Sequence, residues 1–211
     1  HGMRATQGAI EGVTINDDVL LKVIGNTDPK GICGSGLVDL VAQLKIAGII
    51  DSSGRILPPE KLKGLPKKLV ERIIKGEGGY DFLLYAAETG QRIVLTQKDI
   101  RELQLAKGAI FAGINILLKH AGLDLGKVKL LLLAGAFGNY IKIDNAKAIG
   151  LLPPGIKTKQ IGNAAGYGAC LLLISDEEKE KAEAIAKRVE YIELSGMVDF
   201  QEEFIKALNF A

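Results

Sequence analysis

The stretch Leu130–Ile141, "LLLLAGAFGNYI", decides how the chain reads. Four leucines run into Ala134-Gly135-Ala136 and then Phe137-Gly138-Asn139. Taken with the two residues ahead of it, "VKLLLLAG" predicts a strand buried on both faces, as in a parallel sheet. A strand that ends in glycine and alanine offers nothing to pack. Either the chain turns tightly there, or something flat and polar comes up against bare backbone.

Around this stretch the chain alternates strand and helix signals. "GAIEGVTI" and "VLLKVIGN" flank Asn16-Asp17-Asp18 and predict a hairpin. "GICGSG" is a glycine-rich turn, and "LVDLVAQLKIAG" behind it has helical periodicity. Residues 51–66 hold Gly54, Pro58, Pro59, Gly64 and Pro66 and read as loop. "KKLVERIIKG" reads as a short helix, and "YDFLLYA" and "QRIVLT" as strands. Thr96 begins a Thr-x-x-Asp cap for a long helix over 97–121, ended by Gly122. Asp144 is expected to cap a short helix that stops near Gly150 and Pro153. "GNAAGYGACLLLI" turns into an apolar helix, and a charged helix follows from Asp176 to about 188. "VEYIELS" reads as a strand and "DFQEEFIKALNF" as a last helix. The mixture of hairpin and β-α units fits an α/β domain.

Composition narrows the class. A chain of 211 residues buries a sizeable core without disulfides. With 47% apolar and 25% charged residues it is an ordinary globular chain. Aromatics are 5% with no Trp, which argues against a base-stacking platform. The net charge of +2 is spread out, so no footprint for nucleic acid is expected. Cys33 and Cys170 cannot complete a four-thiolate iron–sulfur or zinc site, and no metal-ligating set is expected. So few cysteines point to a reduced, cytoplasmic setting. Apolar runs such as 128–137 are too short to span a membrane, and no secretory signal opens the chain. The opening "HGMRATQGAI" lacks an initiator methionine, so a piece of something longer is expected.

Three glycine turns stand out: Gly31–Gly36, Ala134–Gly138 and Gly162–Gly168. The first and third open helices, where free N–H groups and the positive dipole end suit an anion. The alternative is that glycine only serves tight turns and close packing. None is a P-loop, since no Gly-Lys-Ser/Thr follows, and "GICGSG" lacks the dinucleotide spacing. On the long helix Ile100, Leu103, Phe111, Ile114 and Leu118 share a face. Lys107 falls in the middle of that face, with Gln104 beside it. Such a lysine either snorkels to the surface or reaches into a ligand cleft. Both cysteines read as small buried residues, and Asp39, Asp99 and Asp144 as surface or cap carboxylates. No residue is singled out as catalytic.

Taken in order, "GMRATQGAI", "GICGSGLVDLV", "GIID..GRI", "LTQKDIRELQLAKGAI", "LAGAFGNYI", "NAKAIGLLP", "GNAAGYGA" and "VEYIELS" resemble the C-terminal part of the ATP-dependent reductive activators of corrinoid proteins. The resemblance covers nearly the whole chain. It implies a ribonuclease H-like lobe of the fold shared by acetate and sugar kinases, actin and heat-shock chaperones, a mixed sheet flanked by helices. Residues 1–211 would then be a single C-terminal lobe, with the first lobe and an N-terminal ferredoxin domain absent. "LAGAFGNY" is similar to the superfamily's adenosine motif, which implies nucleotide contacts at Gly135, Ala136, Phe137, Gly138 and Asn139. "GICGSG" resembles a loop facing the phosphates, which implies Gly34, Ser35 and Gly36, and the long helix would add Gln104 and Lys107.

The resemblance implies ATP with magnesium in the intact protein and a [2Fe–2S] cluster only in the upstream domain. The implied partner is a corrinoid protein whose cobalt is reduced, with a homodimer possible. The Asp-Gly-Thr phosphate turns that bring the magnesium-holding acids are missing from this chain. Two other readings stand beside this one: a docking module for the corrinoid protein with a vestigial nucleotide site, or a small-molecule kinase of the same fold.

Overall fold

The computed structural model describes residues 1–210. The chain opens on the expected hairpin, β1 (Ala9–Ile15) and β2 (Val19–Val23), paired antiparallel. A two-residue strand β3 (Gly31–Ile32) lies parallel to the start of β1, and α1 (Gly34–Ile46) follows at once. So "GICGSG" does leave a strand, although a minimal one. Helix α1 buries Val38, Leu40, Val41 and Leu44 against β1.

A second sheet is an antiparallel meander of β4 (Ile73–Gly76), β5 (Gly79–Ala86) and β6 (Arg92–Leu95). Here one expectation is corrected. The helix read into "KKLVERIIKG" is only α2 (Lys67–Val70), and the second half of the stretch is β4. Arg72 marks the change. Its Nε donates to Asp18 Oδ1 at 2.8 Å and its guanidinium also reaches the carbonyls of Leu83 and Leu84. It thus ties the first hairpin's turn to β5. The Val19 N–H, and then Arg72, hold the Asp18 carboxyl below its usual range.

Helix α3 (Gln97–His120) starts on a full capping box. Thr96 Oγ1 accepts from the Asp99 N–H at 3.2 Å, and Asp99 Oδ2 accepts from the Thr96 N–H at 2.8 Å. It ends where Gly122 takes φ +66°. Thr96→Ala removes the hydroxyl's bonds to the Asp99 N–H and carboxylate and leaves only the main-chain half of the box. The expected loss is about 1–2 kcal/mol of stability, read as a lower urea midpoint with an unchanged slope.

The core joins the first hairpin, α1, the loop 49–62, the meander, the start of α3, the stretch 141–152 and Phe210. Phe82, Leu40, Leu44, Ile10, Ile100 and Ile149 are among its large, fully buried members. Each stabilises by about 1.5–3 kcal/mol through apolar area removed from water.

The quoted leucines behave differently from expectation. Only Leu131–Ala134 form a strand, β7, which pairs in parallel with β8 (Thr158–Gly162) alone. Leu131 and Leu133 turn toward the core, while Leu132 is 52% exposed. The strand alternates rather than being buried on both faces, because its two-stranded sheet is covered on one side. Two short helices follow β7: α4 (Gly135–Tyr140) and α5 (Ile143–Ala148). Lys142, not Asp144, is the residue ahead of α5.

Helices α6 (Ala164–Ile174), α7 (Asp176–Ala186) and α8 (Val198–Lys206) complete the chain. Asn163 and Ser175 cap the first two. On α7, Lys181 pairs with Glu177 and Glu178, as a solvated face should. "VEYIELS" forms no strand; residues 187–197 have no regular structure.

Candidate functional site

Helix α1 has no side-chain cap: Cys33 precedes it in extended backbone, and its thiol bonds elsewhere. Cys33 Sγ donates to the Ile10 carbonyl at 3.4 Å and sits 3.3 Å from Ser35 Oγ, which donates to the Glu11 carbonyl at 3.0 Å. Helix α4 likewise starts without a side-chain cap, with Gly135 at φ +84° making the turn out of β7. The first turns of both helices line one cleft of about 670 Å³. That volume lies within the usual range for small-molecule sites. Uncapped helix starts leave N–H donors available to an anion.

Gly34 and Ser35 come from α1, Ala136, Phe137 and Tyr140 from α4. Arg4, Lys22 and Glu11 supply charge along the wall. A Cβ on Gly34 would sit 3.1 Å from the Phe137 ring, so glycine lets the two helix starts meet. Lys22 pairs with Glu11 at 2.9 Å. Glu11 is the one carboxylate among the lining residues. No group of three or more His, Cys, Asp or Glu among the described residues could hold a metal ion. The cleft thus offers no all-protein metal cage, and a magnesium ion there would be held chiefly by phosphate oxygens and water, with Glu11 the one carboxylate at hand.

Of the residues expected to contact nucleotide, Gly34, Ser35, Ala136 and Phe137 come together here. Gly135 makes the turn that leads into Ala136, whereas Gly36, Gly138, Asn139, Gln104 and Lys107 do not line the cleft. Gly36 packs on β1, where a Cβ would run into the Ile10 carbonyl. Gly138 is buried against Leu133. Asn139 is exposed at the far end of α4, its carbonyl accepting from Gln160 Nε2 at 3.1 Å. Gln160 also reaches the carbonyls of Gly138 and Ile141, and so fixes α4 from β8. A glutamine inside a short strand carries no local signal of that role.

Gln104 and Lys107 lie outside the cleft. Lys107 is 2% exposed, which excludes snorkelling, and Gln104 is equally buried. Lys107 Nζ donates to the Asn209 carbonyl and lies 5.4 Å from the centre of the Phe210 ring. Gln104 Nε2 donates to the carbonyls of Ser53 and Leu208. Burial, and then Lys45 in the last turn of α1, push the Lys107 ammonium down to about 8. Lys45 stands eleven residues from Gly34, about 16 Å along the helix. The Lys107 patch is thus at the opposite end of α1 from the cleft.

Sequence reasoning missed Asp39. It is no surface carboxylate but 2% exposed. Its Oδ1 accepts from Asn145 Nδ2 at 2.8 Å, and its Oδ2 pairs with Lys142 at 2.7 Å and accepts from the Val13 N–H at 3.3 Å. Gln43 extends the network to Asn145 and the Ile15 N–H. These groups join β1, α1 and α5 behind the cleft. Cys33 is buried as expected; Cys170 is exposed on α6. No helix among the described residues is long and apolar enough to cross a membrane.

Comparison with known proteins adds the following. The chain is 40% identical over 214 aligned residues to a corrinoid activation enzyme, RamQ, of Eubacterium limosum, spanning 99% of this chain and 36% of that protein. It matches a solved structure of a reductive activator for corrinoid, iron–sulfur protein at 41% identity and a TM-score of 0.84, covering all of this chain and 33% of that one. The chain thus spans about a third of the length of the relatives it matches. A family model described as the C-terminal domain of RACo, the ASKHA domain, matches residues 1–211. The sequence resemblance, the mixed α/β fold and this full-length match agree: the chain belongs to the family of C-terminal ASKHA domains of RACo-type corrinoid activators.

Proposed function

We propose that this chain is the nucleotide-binding part of an ATP-dependent activator that supports reduction of the cobalt of a corrinoid partner protein. The observation that carries this reading is the meeting of two uncapped helix starts, at Gly34 and Ala136, on one cleft. The N–H groups of Gly34 and Ser35 would face phosphate oxygens, with Arg4 adding positive charge. The Phe137 ring and the small side chain of Ala136 would take the flat apolar part of the ligand. ATP, when bound, supplies the phosphoanhydride and a change of charge in the cleft. This chain's own part is to bind and orient it.

Electrons must enter from elsewhere in the whole protein. Cys33 is buried under β1 and Cys170 is exposed on α6, so the two do not fit a cluster. Coupling then has to be a difference in partner affinity between nucleotide states, since a nucleotide that favours neither state shifts nothing. A purely docking role is favoured by a different feature: the apolar α6 leaves Leu173 83% and Ile174 79% exposed.

Ala136→Glu separates the two. Ala136 is exposed in α4, so its replacement should leave the melting temperature nearly unchanged. A longer, charged side chain where the flat apolar part of the ligand would lie should weaken ATP binding by about tenfold or more, near 1.4 kcal/mol. The test is calorimetry with ATP–magnesium on the whole activator, with the cobalt(II) reduction rate measured alongside. Unchanged affinity and rate would place nucleotide elsewhere and favour docking. Gly135→Val is the poorer probe, because a branched residue at φ +84° strains the fold itself.

A further inference from the structure

The C-terminal arm lies along α3. None of the residues of α8 is buried, and the connection 187–197 has no regular structure. Along its length the arm is held on α3 by surface groups: the Lys119–Asp199 pair and the bond from Asn115 Nδ2 to Glu203 at 3.0 Å. A Cβ on Gly108 of α3 would meet Leu208 and Phe204 at 3.4 Å, so glycine lets the arm lie close there.

Its tip is held differently. Phe210 is 3% exposed, and its N–H donates to the Ser52 carbonyl at 2.8 Å. Lys107 and Gln104 donate to the carbonyls of Asn209 and Leu208. Arg101 braces Gln104 Oε1 at 2.9 Å and the Ser53 carbonyl at 3.0 Å.

So two buried donors of α3 spend their hydrogen bonds on main-chain carbonyls of the last residues. If the tip lifts, Gln104, Lys107 and those carbonyls all return to water. Phe210 belongs to the same apolar cluster as Ile100 and Leu103, so the chief loss is the burial of that ring, set against rehydration of a buried cation. Elements with few buried contacts open locally, below the free energy of global unfolding.

We infer that Leu208–Phe210 form a releasable strap that seals Gln104 and Lys107, so that whatever else reaches these two donors must first displace Asn209 and Phe210. The strap stands independently of any nucleotide in the cleft, which lies at the other end of α1. Lys107 is then a clasp in the resting chain, and the arm 187–210 sets its exposure.

The test reads Lys107 directly. Acetylation by a water-soluble acylating reagent, followed residue by residue by mass spectrometry, is compared with exposed Lys98. In the full chain Lys107 should react about tenfold or more slowly than Lys98. Its amide neighbour in the strap, Phe210, should still exchange hydrogen about a hundredfold faster than Phe82 in the core. Removing residues 208–211 should bring Lys107 close to the Lys98 rate and leave Phe82 protected. Phe210→Ala should do the same in a chain of full length. Rapid acetylation of Lys107 in the full chain would overturn the inference, because nothing would then be sealed. Loss of Phe82 protection on either change would also overturn it, since the tip could then not open without unfolding the rest of the core. Matching exchange rates for Phe210 and Phe82 would rule out release short of unfolding.

Discussion

Gly36→Ala is expected to cost about 4 kcal/mol, at the upper end of single-residue effects. A methyl group at this position points straight at the Ile10 carbonyl oxygen, well inside contact distance, with Ile32 Cγ1 at 3.0 Å on the other side. The first obstacle is backbone, which cannot rotate away. Relief requires lifting α1 off β1, and that interface carries Ile10, Leu40 and Leu44. Alanine gains about 1 kcal/mol over glycine in a helix interior, which is too little to offset the displacement. The measurement is a urea titration followed by circular dichroism. A change below about 1 kcal/mol would mean that α1 has room to move.

Asp39→Ala is the second large effect, expected at about 3–5 kcal/mol. The carboxylate serves Val13, Lys142 and Asn145 at once, from a site that is 2% exposed. Lys142 is half exposed and can turn to water, which moderates the loss. The Val13 N–H and the Asn145 amide are buried and cannot, so each bears the penalty of an unmade bond. Asp39→Asn should recover part of the deficit, since its oxygen still accepts one of these bonds. Thermal unfolding of the two variants beside wild type gives the order: wild type, then Asn, then Ala. Equal melting temperatures for Asn and Ala would show that the charge pair with Lys142 outweighs the neutral hydrogen bonds.

These two residues also show where the sequence is readable and where it is not. Helix α3 could be bounded to within a residue or so because its signals are local: Thr96 and Asp99 at one end, Gly122 at the other. The hairpin at Asn16–Asp18 and the glycine turn before α1 are local for the same reason. Strand β4 was missed because "ERIIKG" is a short apolar run that suits either period. The Glu77-Gly78 pair between Gly76 and Gly79 was the available hairpin cue. "VEYIELS" has strand composition but no free sheet edge pairs with it.

The candidate site divides in the same way. That Gly34, Ser35, Ala136 and Phe137 carry special backbone could be read from the glycine turns; that they share one cleft could not, since about a hundred residues separate them. Lys107 and Gln104 were legible as polar residues on an apolar face. What they meet, the last residues of the chain, is a matter of tertiary docking. The Asp39–Asn145 bond spans 106 positions and leaves no periodic trace at either end.

The β7–β8 pair has a consequence for how the chain comes apart. Two parallel strands with both outer edges bare, covered on one side only, make a weak cooperative unit. Helix α6 behind them has no buried residue, whereas the meander and α1 share a continuous core. The two regions should therefore lose structure at different temperatures. In a calorimeter the measured enthalpy should exceed the value inferred from the sharpness of the transition, the mark of more than one melting unit. A single melting temperature would average a loose periphery with a firm centre, and probes placed on Tyr167 and on Phe82 should not trace the same curve.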